Sequence, residues 1–157
     1  MYDWGASTKI REATLEDQKE ICVLIRQLED YVKLAHGPSE RDLRETLAKL
    51  INSPNCFVLV AEDDDKIIGL LTMWVRPTLF HGAGSALIDE LIVDKSYRGV
   101  GVGEALVKSA FAKAKSRSCI EIEVSTERTN QKAMEFYRKC GFTTEHVLLE
   151  KEIRRQK

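Results

Sequence analysis

Hydrophobic residues change their spacing several times along the chain, and each change marks an element. Lys9 to Ala13 reads as a short edge strand, and Thr14 followed by Asp17 has the form of a capping box opening a helix. Ile21, Leu24, Ile25 and Leu28 then recur at helical spacing and make one apolar stripe. Gly37-Pro38 breaks that pattern. Ser39 caps a second predicted helix carrying Leu43, Leu47 and Leu50, and "NSPN" stops it.

The period then shortens. "CFVLVAE" and "KIIGLLTMWV" are strand-like runs separated by Asp63-Asp64-Asp65, which predicts a hairpin turn. No further liganding pattern accompanies those aspartates, so a solvated turn is the reading, not a metal site. After the loop "RPTLFHGAG" comes "SALIDELIVD", apolar at both alternating sets of positions, as in a strand covered on both faces. "VGEALVKSAFAKAKS" returns to helical spacing, with Ala105, Leu106, Ala110 and Phe111 along one side. A strand "CIEIEV", a helix from Gln131 to Lys139 and a last strand "VLLEKEI" complete the series. The order βααβββαβαβ predicts an α/β protein with a mixed sheet flanked by helices.

At 157 residues, without repeat, low-complexity segment or linker, the chain reads as one domain over 1–157, with 1–7 as a candidate tail to which no function is assigned. Its 24 Lys and Arg against 25 Asp and Glu leave a net charge of -1, which gives no electrostatic reason to expect nucleic acid. Cys22, Cys56, Cys119 and Cys140 are far apart and read as free thiols, neither zinc ligands nor a disulfide framework. No run has the roughly 20 apolar residues of a membrane span, and the start lacks the features of a signal peptide, so a cytoplasmic protein without membrane partners is expected.

The chemistry gathers at "YRGVGVG", residues 97–103. A strand that turns through glycines into a helix presents main-chain N–H groups at the positive end of the helix dipole. Bare backbone at Gly99, Gly101 and Gly103 lets a phosphate approach those donors, and Arg98 can add a charge-assisted contact. A Rossmann fingerprint fails because Glu104 stands where its third glycine would be, and no Gly-Lys-[Ser/Thr] follows to make a P-loop.

"LIVDKSYRGVGVG" resembles the acetyl-CoA-binding motif of the GNAT superfamily of N-acetyltransferases, [Gln/Arg]-x-x-Gly-x-[Gly/Ala], through Arg98, Gly101 and Gly103. "NQKAMEFYRKCGF" resembles the same family's Asn-x-x-Ala-x-x-x-Tyr-x-x-x-Gly-Phe segment through Asn130, Ala133, Tyr137, Gly141 and Phe142. The resemblance runs from about Thr8 to Ile153. It implies the GNAT fold with a mostly antiparallel sheet, and transfer of acetyl from acetyl-CoA to a primary amine by direct attack. It also implies pyrophosphate binding at Arg98, Gly99, Val100, Gly101, Val102 and Gly103, pantetheine pairing along Leu91, Ile92 and Val93, and a coenzyme contact at Asn130, a residue type that by itself equally suits a plain helix N-cap. No metal is implied.

An alkylammonium, with a pKa of about 10.4, needs a base before it can attack. Asp89 and Glu90 are adjacent acids in an otherwise apolar strand, where a carboxylate facing a covered side is costly unless paired or used. Successive side chains face opposite sides, so one of them points into the cleft unless a bulge re-aims both. Family members with such a pair favour the first acid as base, which makes Asp89 the base and Glu90 a substrate or structural contact. The resemblance gives Tyr137 the protonation of the departing thiolate, although its spacing with Ala133 and Cys140 also suits a core stripe. The same likeness puts acceptor contacts among Tyr31, His36, Trp74, Arg76 and His81. The acidic pair suits a small cationic amine, and Arg76 would add an anion contact as in aminoalkylphosphonate acetyltransferases. A protein lysine or N-terminal acetyltransferase and a non-catalytic acyl-CoA sensor are the alternatives. Family members are often homodimers, and the sequence leaves that open.

Overall fold

The computed structural model describes residues 8–32, 37–151 and 153, with the backbone alone for Tyr31 and Val32. Its elements are β1 (Lys9–Glu12), α1 (Gln18–Val32), α2 (Glu40–Ile51), β2 (Cys56–Asp63), β3 (Lys66–Thr78), β4 (Ala83–Val93), α3 (Val102–Ser116), β5 (Cys119–Val124) and α4 (Gln131–Lys139). Single 3-10 turns at Leu15–Asp17 and Lys95–Tyr97 lead into α1 and follow β4. The chain divides into two compact units, Met1–Val124 and Ser125–Lys157.

The first unit holds a five-stranded sheet in the order β1-β2-β3-β4-β5. Neighbours are antiparallel except β4 and β5, which run parallel with α3 as the crossover. This is the mixed α/β architecture that the pattern predicts. The β2–β3 hairpin closes as Asp63↔Lys66, with Asp64 and Asp65 at φ 44° and 62°, two positive values that suit the twist of a tight hairpin.

Both faces of the sheet are covered. Ile21, Leu24 and Leu47 from α1 and α2 bury against Val58, Val60, Leu70 and Ile92 on one face. On the other, α3 crosses β2 to β5 and buries Val102, Leu106, Val107, Ala110 and Ala114. Ser39 caps α2, its Oγ accepting from Asp42 N–H at 3.1 Å while Ser39 N–H donates to the Asp42 carboxylate. Asp17 is buried under the β1 edge, where Arg11 donates to both its oxygens and also to Glu62 on β2. That pairing holds the Asp17 carboxyl below its usual range.

Gly69 of β3 sets how closely the start of α3 docks. A Cβ there would lie 3.0 Å from Leu106 Cδ1 and 3.1 Å from Val102 Cγ1. Two sequence expectations are corrected. Arg76 and Pro77 belong to β3 and not to a loop, because the β3–β4 ladder continues through Arg76↔Ser85, Pro77↔Gly84 and Thr78↔Ala83. The ladder with β2 begins only at Cys56↔Trp74, so this end of β3 is an edge, where proline is tolerated. "VLLEKEI" forms no strand among the described residues. Val147, Leu148, Leu149 and Ile153 are exposed, and β-propensity without a ladder partner does not hold a strand.

Gly69→Val should cost about 1–3 kcal/mol through overpacking under α3, read as a lower denaturant midpoint in equilibrium unfolding.

Candidate active site

β4 brings the two acids to the end of a half-open strand. Its ladder with β5 stops at Ile88↔Val124, while that with β3 continues to Gly69↔Val93. Along residues 89–93 the second edge of β4 therefore lies outside any ladder among the described residues, ready to take an extended amide chain as another strand.

At the same place the β3–β4 register slips. Met73 faces Ile88, but Thr72 faces Glu90, so Asp89 is an extra residue in β4. Simple alternation would put Glu90 on the side of Ile88, which is buried under α3. The bulge instead brings Glu90 beside Thr72, on the face shared by Trp74 and Leu87. The sequence reading left this open, and the bulge decides it.

Asp89 is exposed at the bulge and Glu90 is half-buried. Burial, and then the neighbouring Asp89 charge, push the Glu90 carboxyl up to about 7. Burial also raises Asp89, with Arg76 pulling the other way. Across the sheet, burial and these two acids push the Cys56 thiol up to about 11, so it stays protonated at neutral pH.

The glycine turn follows β4 directly. Asp94 takes hydrogen bonds from Ser96 N–H and Gln27 Nε2, and Gln27 Oε1 accepts from Lys95 N–H, so α1 clamps the strand end. Arg98 Nε donates to Val93 O at 3.0 Å. Gly99 and Gly101 have φ of 78° and 92°, the left-handed region in which a side chain is strained. Gly101 is the N-cap of α3, and the bond from Ala105 N–H to Gly101 O is the first of that helix. The donors from Gly99 to Gly103 thus precede the helix ladder, an anion-binding arrangement.

The predicted acceptor residues divide. Trp74 packs against the core beneath α1 and α2. Arg76 pairs with Glu123 at 2.7 Å, and the buried Ser85 hydroxyl donates to the same Glu123 oxygen at 3.0 Å. His81 stands 3.1 Å from Glu121. Glu121 and Glu123 occupy the sheet rows of Ser85 and Leu87, so β5 brings two further carboxylates to this face. Tyr31 is placed by its backbone in α1, and His36 lies outside the described residues.

The second unit explains its own motif. Asn130 caps α4, accepting from Ala133 N–H at 3.1 Å. The helix ends in a Schellman turn, with Phe142 N–H to Tyr137 O and Gly141 N–H to Arg138 O, both 3.0 Å, and Gly141 at φ 98°. Tyr137 meets the Phe142 ring edge-on with centroids 5.4 Å apart. Burial, and then Cys140, push the Tyr137 hydroxyl up to about 12.

Sequence reasoning missed Thr72, Gln27, Ser85, Glu121 and Glu123. Thr72 alone had a signal, as the one hydroxyl in "KIIGLLTMWV"; the others look like ordinary surface or strand residues.

The profile of the acetyltransferase (GNAT) family matches residues 23–142, a span that enters both units, and the chain belongs to that family of N-acetyltransferase enzymes. It is 27% identical over 146 residues to the thialysine N-epsilon-acetyltransferase of Mus musculus, covering 87% of this chain and 84% of that one. It is 25% identical over 145 residues to the aminoalkylphosphonate N-acetyltransferase of Salmonella typhimurium, covering 92% and 91%. Among solved structures, an aminoglycoside acetyltransferase from an uncultured soil metagenomic sample superposes with a TM-score of 0.80 at 25% identity, covering 97% of this chain and 99% of that one. Among the described residues no helix is long and apolar enough to cross a membrane, and no cluster of metal-binding side chains is found.

Gly101→Ala should strain the left-handed N-cap by about 1–2 kcal/mol and set a methyl group among the loop donors. Calorimetry should show coenzyme A binding weakened by roughly tenfold or more, with Val100→Ala close to wild type.

Proposed function

We propose that this enzyme transfers the acetyl group of acetyl-CoA to a primary amine of a small cationic molecule by direct attack. The observation that carries the reading is the slip at Asp89, which turns Glu90 onto the Trp74 and Leu87 face where the second edge of β4 opens. Residues 91–93 suit the pantetheine amides, and the turn from Arg98 to Gly103 suits the pyrophosphate.

Glu90 is the better base of the two acids, the reverse of the preference drawn from sequence. A carboxyl titrating near 7 takes up a proton readily at neutral pH and is largely ionised just above it. Asp89, more exposed, suits the incoming ammonium. The ammonium gives one proton to Glu90, directly or through water; the neutral nitrogen bonds the thioester carbonyl carbon, the carbon–sulfur bond breaks, and the nitrogen's second proton passes to water, from which Tyr137 is restored after it has protonated the thiolate. On the family motif, Tyr137 protonates the departing thiolate, its raised pKa keeping the hydroxyl protonated until then.

Asp89, Glu90, Glu121 and Glu123 outnumber Arg76 on this face, which favours an acceptor with more than one cationic group. Arg76 is engaged by Glu123, so a phosphate or phosphonate on the acceptor would have to compete with that pair. The relatives named for thialysine, aminoalkylphosphonate and aminoglycoside acceptors support an amine as the class.

Release of free CoA should be measured with spermidine, kanamycin, glucosamine and 2-aminoethylphosphonate, and the amine-bearing polycations should be fastest. With the best acceptor, kcat/KM should rise with pH through about 7 as Glu90 ionises. Glu90→Gln should remove that limb and lower kcat about 100-fold or more. An unchanged profile would overturn the assignment of the base, and no CoA release with any amine would overturn the reading as a small-amine acetyltransferase.

A further inference from the structure

Thr72 is 4% exposed in the middle of β3, between Leu71 and Met73, which are fully buried. A buried hydroxyl is costly unless bonded, and valine would fill the same volume with better strand propensity. The hydroxyl is bonded on both sides, and both partners belong to one residue. Glu90 N–H donates to Thr72 Oγ1 at 3.2 Å, and the Thr72 O–H donates to Glu90 Oε2. The first bond gives the bulge a side-chain acceptor where the main-chain ladder is irregular. The second holds one carboxylate oxygen and leaves proton transfer to the other.

We propose that Thr72 is a positioning residue for the acid–base step: its hydroxyl closes the β4 bulge and sets both the aim and the proton affinity of Glu90. The inference rests on the reading of Glu90 as base. It also accounts for a feature that this reading does not explain, a buried hydroxyl in the apolar run from Ile67 to Val75.

The sign follows from the donor. An O–H aimed at a carboxylate favours its ionised form, opposing the burial and the Asp89 charge that disfavour it. The other titratable groups around the pair are few. Asp89 is on the same strand, Arg76 on β3 acts on Asp89, and the Cys56 thiol on β2 feels both acids. From α1, which packs against β3 and β4, Arg26 and Glu29 pair with each other at 2.7 Å, Glu20 accepts from Ile67 N–H, and Lys19, Cys22, Asp30 and Tyr31 are the helix's other titratable residues. Removing the Thr72 donor thus takes away an influence that favours the ionised form while the neighbouring charged groups stay in place.

The test is a carbon-13 NMR titration of glutamate-labelled full-length protein without substrate, the Glu90 signal being identified by its loss in Glu90→Gln. Thr72→Val should raise the Glu90 midpoint by about one pH unit, a tenfold gain in proton affinity, and Thr72→Ser should restore it. The acid limb of kcat/KM, measured with the fastest of the four amines above, should move with it in each variant. An unshifted midpoint in Thr72→Val, or an equal shift in Thr72→Ser, would overturn the role of the hydroxyl. A midpoint that moves while the activity limb stays fixed would instead overturn Glu90 as the base and leave the hydrogen-bond coupling standing.

Discussion

At Asp89 the ladder between β3 and β4 takes in one residue too many, and the arrangement of the site depends on that slip. A bulge adds twist and bends its strand. Here it falls next to Ile88, the last residue of β4 paired with β5, so the strand leaves its parallel neighbour where its side chains change faces. One irregularity therefore gives both an uncommitted strand edge and an acid on the face opposite to the one alternation assigns. Without it, Glu90 would share the α3 side with Ile88, and its charge would lie in the tightest part of the core.

The rest of the first unit holds the two ends of that strand segment. Gly69 lets α3 settle close to the sheet, and its first turn follows the glycines that expose main-chain donors. Gln27 reaches from α1 to Asp94 and Lys95, fixing the point where β4 gives way to the turn. Between these anchors the polar cost is concentrated on Asp89 and Glu90, and burial rather than an ion pair is the main cause of the raised Glu90 pKa. That differs from Asp17, where a bidentate arginine lowers a buried carboxyl and ties β1 to the turn that leads into α1. These two acids thus have opposite shifts, because Asp17 has a cation against it, whereas Glu90 is desolvated without one and has an anion beside it.

Much of the fold was legible because local chemistry and period agreed. The bounds of α3 and α4 fall where the spacing put them, after Gly101 and Asn130, and the aspartate run turns a hairpin because Asp64 and Asp65 accept positive φ. The family segment ending in Gly141-Phe142 is itself a local device, a Schellman turn with an aromatic contact back to Tyr137. Where the reading failed, it relied on propensity without a partner. "VLLEKEI" has the residues of a strand and no strand forms, whereas Pro77 looked like a loop residue and lies in β3.

By itself, then, the sequence determined the order of elements, the glycine turn at the start of a helix, the capped helix with its tyrosine, and the presence of two acids in an apolar strand. These depend on residues near one another in the chain, whose spacing and dihedral preferences are written locally. Tertiary structure decided which face each acid takes, that Thr72 bonds to Glu90, and that Arg76 is matched by Glu123. Those outcomes depend on register between strands distant in sequence, and a shift of one residue there reverses the side on which a carboxylate emerges.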